Sequence, residues 1–283
     1  MKEQSLYISI GEINYLKVAR ESEPGFYLQS KDEEEVLLPN IYVDKSRMAI
    51  GSIVEVFIYT DSEDRVVATT QKPKAMLGEF GYFEVVDVKH YGAFVDWGLP
   101  KDLLVPLSHQ KRHFEVGSKH ILAIGLDEET HRLYGSQKLG KFLSKDISKL
   151  HKNQEVSLLI MAKTPLGYKV IVDNSYEGMV YKNEVFKPLH IGDSLTGYIK
   201  KLRDDGKLDI SVKKLGVKHS DDEVYSILSK LAQNGGKLPF TYKSDAKQIQ
   251  EAFGMSKKSF KKTLTHLIDT KQIELLDDSI KLL

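Results

Sequence analysis

Short alternating runs of apolar and polar residues, broken by Gly, Pro or charged turns, fill most of this chain. The clearest stretch is 81–138, GYFEVVDVKHYGAFVDWGLPKDLLVPLSHQKRHFEVGSKHILAIGLDEETHRLYGSQK. It holds five β-type runs and no sustained helical period. That pattern predicts a small closed barrel.

The same layout recurs with a period of roughly 70 residues, which predicts an array of similar units. In the first copy Ile10–Val18 is a strand candidate, and Pro24-Gly25-Phe26-Tyr27-Leu28 parallels Tyr91-Gly92-Ala93-Phe94-Val95. Glu35–Pro39 parallels Asp102–Pro106, Gly51–Val56 parallels Gly117–Leu122, and both copies close on Gln-Lys. In the third copy the runs are Val156–Ala162, Leu166–Val170, Tyr176–Tyr181 and Ile191–Leu195. Asp205-Gly206 before Leu208–Val212 predicts a two-residue hairpin turn, because Gly accepts positive φ. Between copies two and three, Leu139, Leu143, Ile147 and Leu150 predict a short amphipathic connector helix.

The period changes after Lys218. Asp221-Asp222-Glu223 suits a helix start, and Val224, Ile227, Leu228 and Leu231 follow at helical spacing. Asn234-Gly235-Gly236 stops that helix. Ser244 is read as the cap of a second helix and Ser256 as the cap of a third, with Phe260, Leu264, Leu267 and Ile268 inward. Two short strands, Gln272–Leu276 and Ser279–Leu282, complete a winged-helix pattern. The expected fold is multidomain and mainly β: three five-stranded barrels over 1–74, 75–140 and 151–217, a connector at 141–150, and an α+β winged helix over 218–283.

Charge refines this picture. The net charge of +1 is uneven: Lys+Arg against Asp+Glu is 9 against 13 in residues 1–75, 10 against 10 in 76–150, 12 against 8 in 151–218, and 10 against 9 in 219–283. The third barrel is therefore the best electrostatic host for a phosphate backbone, and the first the worst. Random imbalance on solvated faces explains differences of this size equally well. The chain has no cysteine, which excludes disulfides and thiolate metal sites and fits the cytoplasm. No apolar run reaches the ~18 residues a spanning helix needs, so no membrane partner is expected.

The strand opening on Gly81, the Tyr91–Val95 strand, Leu104–Ser108, Gly117 before strand four and the Asp127…Arg132 hairpin resemble an OB-fold domain of the ribosomal-protein S-one type. Three such barrels and a winged helix are similar in layout to the conserved virulence factor B family. The resemblance implies an RNA-binding regulator of gene expression. It places the nucleic-acid face at Tyr91, Phe94, Asp127 and Arg132. The third-strand residue that is usually His is Pro106 in this chain, Pro39 in the first copy and Tyr181 in the third. The third copy also keeps Tyr168 and carries Lys200, Lys201, Arg203 and Lys207, so it shares the claim to RNA.

Unpaired bases need exposed flat rings and phosphates need cations. Strict alternation puts Tyr91 and Phe94 on opposite faces, and a bulge at Gly92 would bring both outward. Lys89 and His90, beside this strand, are further candidates for phosphate contact. Aromatics of small barrels also serve as core, which is the preferred reading for Phe26, and Trp97 is expected to pack against a neighbour. Lys257, Lys258, Lys261 and Lys262 lie on the candidate recognition helix, where a nucleic-acid-facing stripe and a solvated helix face stand level. Without a Gly-x4-Gly-Lys loop, a Cys nucleophile or a His-Glu-x-x-His motif, neither an enzyme nor a cofactor or metal is expected. Three functions remain open: a single-stranded RNA binder, a duplex-DNA regulator led by the winged helix, and an adaptor for a ribosome or protein partner.

Overall fold

The computed structural model describes residues 3–182, 185, 188–212 and 221–283. The chain divides into two compact units, Met1–Leu143 and Ser144–Leu283. The expected junction at 217–218 falls outside the described residues.

The first unit holds two five-stranded sheets. β1 (Ile13–Ser22), β2 (Gly25–Gln29), β3 (Glu35–Pro39), β4 (Ile53–Thr60) and β5 (Val66–Thr69) close into a barrel in the order β1-β2-β3-β5-β4. β6 (Phe80–Lys89), β7 (Gly92–Asp96), β8 (Leu103–Pro106), β9 (Lys119–Leu126) and β10 (Leu133–Ser136) form the second, in the order β10-β9-β6-β7-β8. Its closing seam has no ladder of hydrogen bonds. β8 and β10 nonetheless lie so close that a Cβ on Gly135 would sit 2.9 Å from Val105 Cγ2.

Alternation decides what each strand buries. Leu16 and Val18 of β1, Val36 and Leu38 of β3, and Val54, Val56 and Ile58 of β4 fill the first barrel. The run Val56-Phe57-Ile58-Tyr59-Thr60 is buried on both faces. Phe57 and Tyr59 point away from the first barrel and join a core with Phe83, Val95, Trp97 and Leu122 of the second. Trp97 meets Phe57 at 5.9 Å and 74° and Tyr59 at 6.5 Å and 69°, so it packs against a neighbouring barrel as expected.

In the second unit β11 (Glu155–Lys163), β12 (Gly167–Val172), β13 (Tyr176–Tyr181), β14 (Ser194–Leu202) and β15 (Leu208–Ser211) close into a barrel with the same order as the first. The turn before β15 is longer than the expected two-residue hairpin. Arg203 N–H donates to Lys207 O, Gly206 N–H donates to Arg203 O, and Gly206 takes a φ of 75°. The expected connector helix over 139–150 does not form. A single 3-10 turn spans Leu139–Lys141, the backbone at Ser144 bridges to Tyr176, and Ile147 and Leu150 pack on the third barrel's core. The apolar spacing fitted a helix because a wrapping segment with the same spacing also meets a sheet at intervals.

The winged helix comprises α1 (Asp221–Gln233), β16 (Lys237–Leu238), α2 (Ala246–Phe253), α3 (Lys257–Asp269), β17 (Ile273–Leu275) and β18 (Ile280–Leu282), with the strands ordered β16-β18-β17. Ile227, Leu231, Phe260, Leu264 and Leu267 form its core. Ser256 caps α3 through its hydroxyl, which accepts from Ser259 N–H. The cap of α2 is Asp245 rather than Ser244: its carboxylate accepts from Lys247 and Gln248 N–H, while Ser244 Oγ accepts from Thr241 N–H.

Candidate nucleic-acid interface

All three barrels share one local design. Each first strand carries a register shift against the second: between Val18 and Arg20, between Val85 and Asp87, and between Ile160 and Ala162. Each second strand opens on a glycine paired with the end of the third: Gly25 with Pro39, Gly92 with Pro106, Gly167 with Tyr181. A Cβ on Gly25 or Gly167 would stand 2.1 Å from a carbonyl oxygen of that third strand, and at Gly92 2.7 Å. Only glycine permits so close an approach.

The bulge expected at Gly92 therefore lies on the facing strand, at Val86, and β7 is regular against β8. Tyr91 is not on the strand either: His90 and Tyr91 form the turn between β6 and β7. From that turn Tyr91 is 49% exposed, and its ring meets half-buried Phe94 edge to face at 6.1 Å and 88°. His90 stands edge-on to Tyr91 at 5.0 Å, and exposed Lys89 pairs with Asp87 at 2.7 Å. Both rings face outward although alternation alone would separate them.

Tyr91 and Phe94 line a groove of about 740 Å³ in the first unit, together with Asp127 and Arg132. His109 and Tyr134 also line it, with ring centroids 4.4 Å apart. Tyr59, Thr60, Ser62 and Asp64 of the first barrel line it too, so both barrels build it. The His109 ring contacts Ser136 Oγ at 3.1 Å, and burial, then Lys138 and Lys141, hold its pKa below the ordinary histidine value. Both causes disfavour the charged form of the ring. Asp102, also on the groove, is pushed up by burial and then by Asp96 and Asp87.

Asp127 and Arg132 face each other across the last hairpin, where Asp127 N–H donates to Arg132 O at 2.9 Å, but their side chains engage different partners. Asp127 accepts from Glu129 and Thr130 N–H, and these backbone bonds depress its pKa. The Arg132 guanidinium reaches instead to Asp64 of the first barrel. Lys101, missed in the sequence, also lines the groove and donates to Asp61 O at 2.6 Å. No local motif marks it, because its partners are about forty positions earlier in the chain.

The third barrel corrects a second expectation. Tyr168 pairs with Val180 and is only 8% exposed, within the core alongside Val170 and Val172. It occupies the inward place of Ala93 and Phe26, so it is not a stacking platform. Half-buried Tyr181 donates its hydroxyl to Asp209 at 3.1 Å, which raises its pKa. Arg203 pairs with Asp205 at 3.0 Å, and Lys207 with Glu177 at 3.0 Å, so these cations are partly neutralised. Lys200 and Lys201 are exposed. In the first barrel the outward ring is Tyr27, with the Arg20 guanidinium 3.6 Å above it. The repeat register places Tyr27 where Phe94 stands, a signal present in the sequence but not used.

On α3, Lys258, Lys261 and Lys262 are exposed, and Lys257 donates to Lys243 O at 3.3 Å. A buried carboxylate, Glu223 of α1, accepts from the Ser259 and Thr263 hydroxyls of α3. Among the described residues no helix is long and apolar enough to cross a membrane.

Comparison with known proteins agrees with this architecture. The family described as S1 domain matches residues 10–71, the first barrel, and the CvfB-like winged helix domain matches residues 225–282. Conserved virulence factor B of Staphylococcus aureus is 27% identical over 282 residues, covering 96% of this chain and 94% of the relative. An uncharacterized Bacillus subtilis protein, YitL, is 27% identical over 266 residues, covering 91% and 88%. A solved Streptococcus pneumoniae structure, a multidomain protein with nucleic acid binding domains, is 23% identical with a TM-score of 0.44 over 97% of this chain and 98% of that one. With a match to the S1 domain at one end, a match to the CvfB-like winged helix at the other and 27% identity along nearly its whole length, the chain is similar throughout to conserved virulence factor B.

Proposed function

We propose that the protein binds single-stranded RNA in the cytoplasm and regulates gene expression after transcription, virulence-related genes among its targets as the family resemblance implies. One observation carries the binding reading: Tyr91 and Phe94 face outward together on a groove that also presents Arg132 and the ring pair His109–Tyr134. Exposed rings beside cations suit unpaired bases, and each stacked base contributes about 1–3 kcal/mol without strict sequence demand. The relatives support it, since the S1 domain and the winged helix are the two families matched. In this reading barrels 1–74, 75–140 and 151–217 and the winged helix 218–283 are linked modules whose weak contacts add through effective concentration.

A second reading rests on α3. Its exposed Lys258, Lys261 and Lys262 form a cationic stripe suited to the groove of duplex DNA. Binding of labelled single-stranded RNA, single-stranded DNA and duplex DNA, each at two salt concentrations, separates the two. RNA preference with a steep salt slope supports the first. Duplex preference supports the second. No affinity for any of the three overturns both and favours a protein-partner adaptor.

A further inference from the structure

The groove of the first unit holds two cations, and one acid from the other barrel already engages both. Arg132 Nη2 donates to Asp64 Oδ2, and Lys101 Nζ lies 3.2 Å from Asp64 Oδ1. Asp64 sits in the turn between β4 and β5 at a φ of 61°, and its N–H donates to Asp61 O. The β4–β5 ladder ends at Thr60 and Val66, so the Asp64 side chain can leave without breaking a strand pair. A carboxylate shared between an Arg and a Lys presents two oxygens to two donors, as the non-bridging oxygens of a phosphodiester do. With Asp64, Asp102 and Asp127 set against Lys101 and Arg132, the groove carries one more formal negative charge than positive. An incoming phosphate is repelled while Asp64 stays and is received by two cations once it leaves.

We propose that Lys101 and Arg132 form a phosphate subsite built by both barrels, which Asp64 fills in the free protein and a phosphodiester of a single strand takes over on binding. The inference rests on the single-strand reading above. It places the strand across the boundary between the barrels, with a base on Tyr91 and Phe94 and the adjoining phosphate at the first barrel's turn.

Asp64→Asn in the full chain tests it, because Asn tolerates left-handed backbone and loses the charge. Asp64→Gly, which accepts the same φ, is the second variant should the first fold poorly. With a labelled oligouridylate at low salt, either variant is expected to gain affinity by about fivefold, the worth of a partly exposed ion pair. The gain should shrink when Arg132→Gln is also present. Unchanged affinity in the Asp64 variants overturns the inference, and so does a gain of equal size with Arg132→Gln, which would report general charge alone. Loss of affinity in Tyr91→Ala/Phe94→Ala beside unchanged Asp64→Asn sinks the subsite and spares the single-strand reading. No binding by wild type and Asp64→Asn alike sinks both.

Discussion

The rings of Tyr91 and Phe94 meet at 88° with centroids 6.1 Å apart, one from a turn and the other from the strand that follows it. Neither anchors the core, since Tyr91 is exposed and Phe94 half-buried. Phe94→Ala should weaken single-stranded RNA binding by about 1–3 kcal/mol while the melting temperature changes little. Phe94→Trp should keep the affinity. Titration of the variants against one oligonucleotide, with thermal melts beside it, checks both halves.

The glycine opening each second strand makes a sharper stability prediction. Gly167 has a φ of 154°, and a Cβ there would stand 2.1 Å from Val180 O. Gly167→Ala should cost about 2–3 kcal/mol, because strain and a backbone clash add. Gly51→Ala, at a φ of 91° with open space around it, should cost about 1 kcal/mol. Denaturant titration of the two variants gives the comparison, and equal losses would mean the carbonyl contact matters little.

Trp97 is the chain's one tryptophan and is 2% exposed between Phe57 and Tyr59. Its fluorescence therefore reports the boundary of the first two barrels. Trp97→Ala should destabilise the first unit by about 3–5 kcal/mol, as large aromatic truncations in cores do. Trp97→Phe should lose much less. Because Phe57 and Tyr59 contribute from the first barrel, wild-type emission should shift in one transition that both barrels share.

Much of this fold was legible because each strand buries one face and small residues mark its ends. The repeat period, the inward Leu and Val positions and the Ser256 cap follow from patterns a few residues long. The site was legible in part. Tyr91, Phe94 and Arg132 could be placed by motif, but Arg132's partner Asp64 is 68 positions away and no spacing rule reaches it. Tyr168 misled for a related reason: an aromatic next to the glycine that opens the strand carries no sign of its face until the register Tyr168–Val180 is known. The bulge was expected at Gly92 because glycine tolerates it, yet the irregularity falls on the facing strand at Val86, which has no compositional mark.

His109 should titrate below the ordinary histidine value of 6.5, because burial and two nearby lysines disfavour its charged form. His120, stacked on Phe114 at 3.8 Å, is lowered by burial and Arg112 in the same direction. Below about 6.5 the unfolded chain takes up these protons before the folded one does. The stability they contribute is complete above that pH and is lost as pH falls through the folded values. Ring resonances followed by NMR give the titration directly, and a His109 midpoint at or above 6.5 would contradict the burial argument.

The third helix of the winged domain separates stability from binding along its two sides. On the inner side Glu223 accepts hydrogen bonds from Ser259 and Thr263. Glu223→Ala leaves those hydroxyls without that acceptor and should destabilise the domain by about 1–3 kcal/mol. On the outer side Lys258, Lys261 and Lys262 are exposed, so replacing all three with Ala should leave the melting temperature nearly unchanged. If that face contacts phosphates, the triple variant should flatten the salt dependence of single-strand binding by up to about 2 in the log–log slope, at roughly 0.7 per phosphate contact. A slope equal to wild type would assign the stripe to solvent or to a protein partner and leave nucleic-acid binding to the barrels.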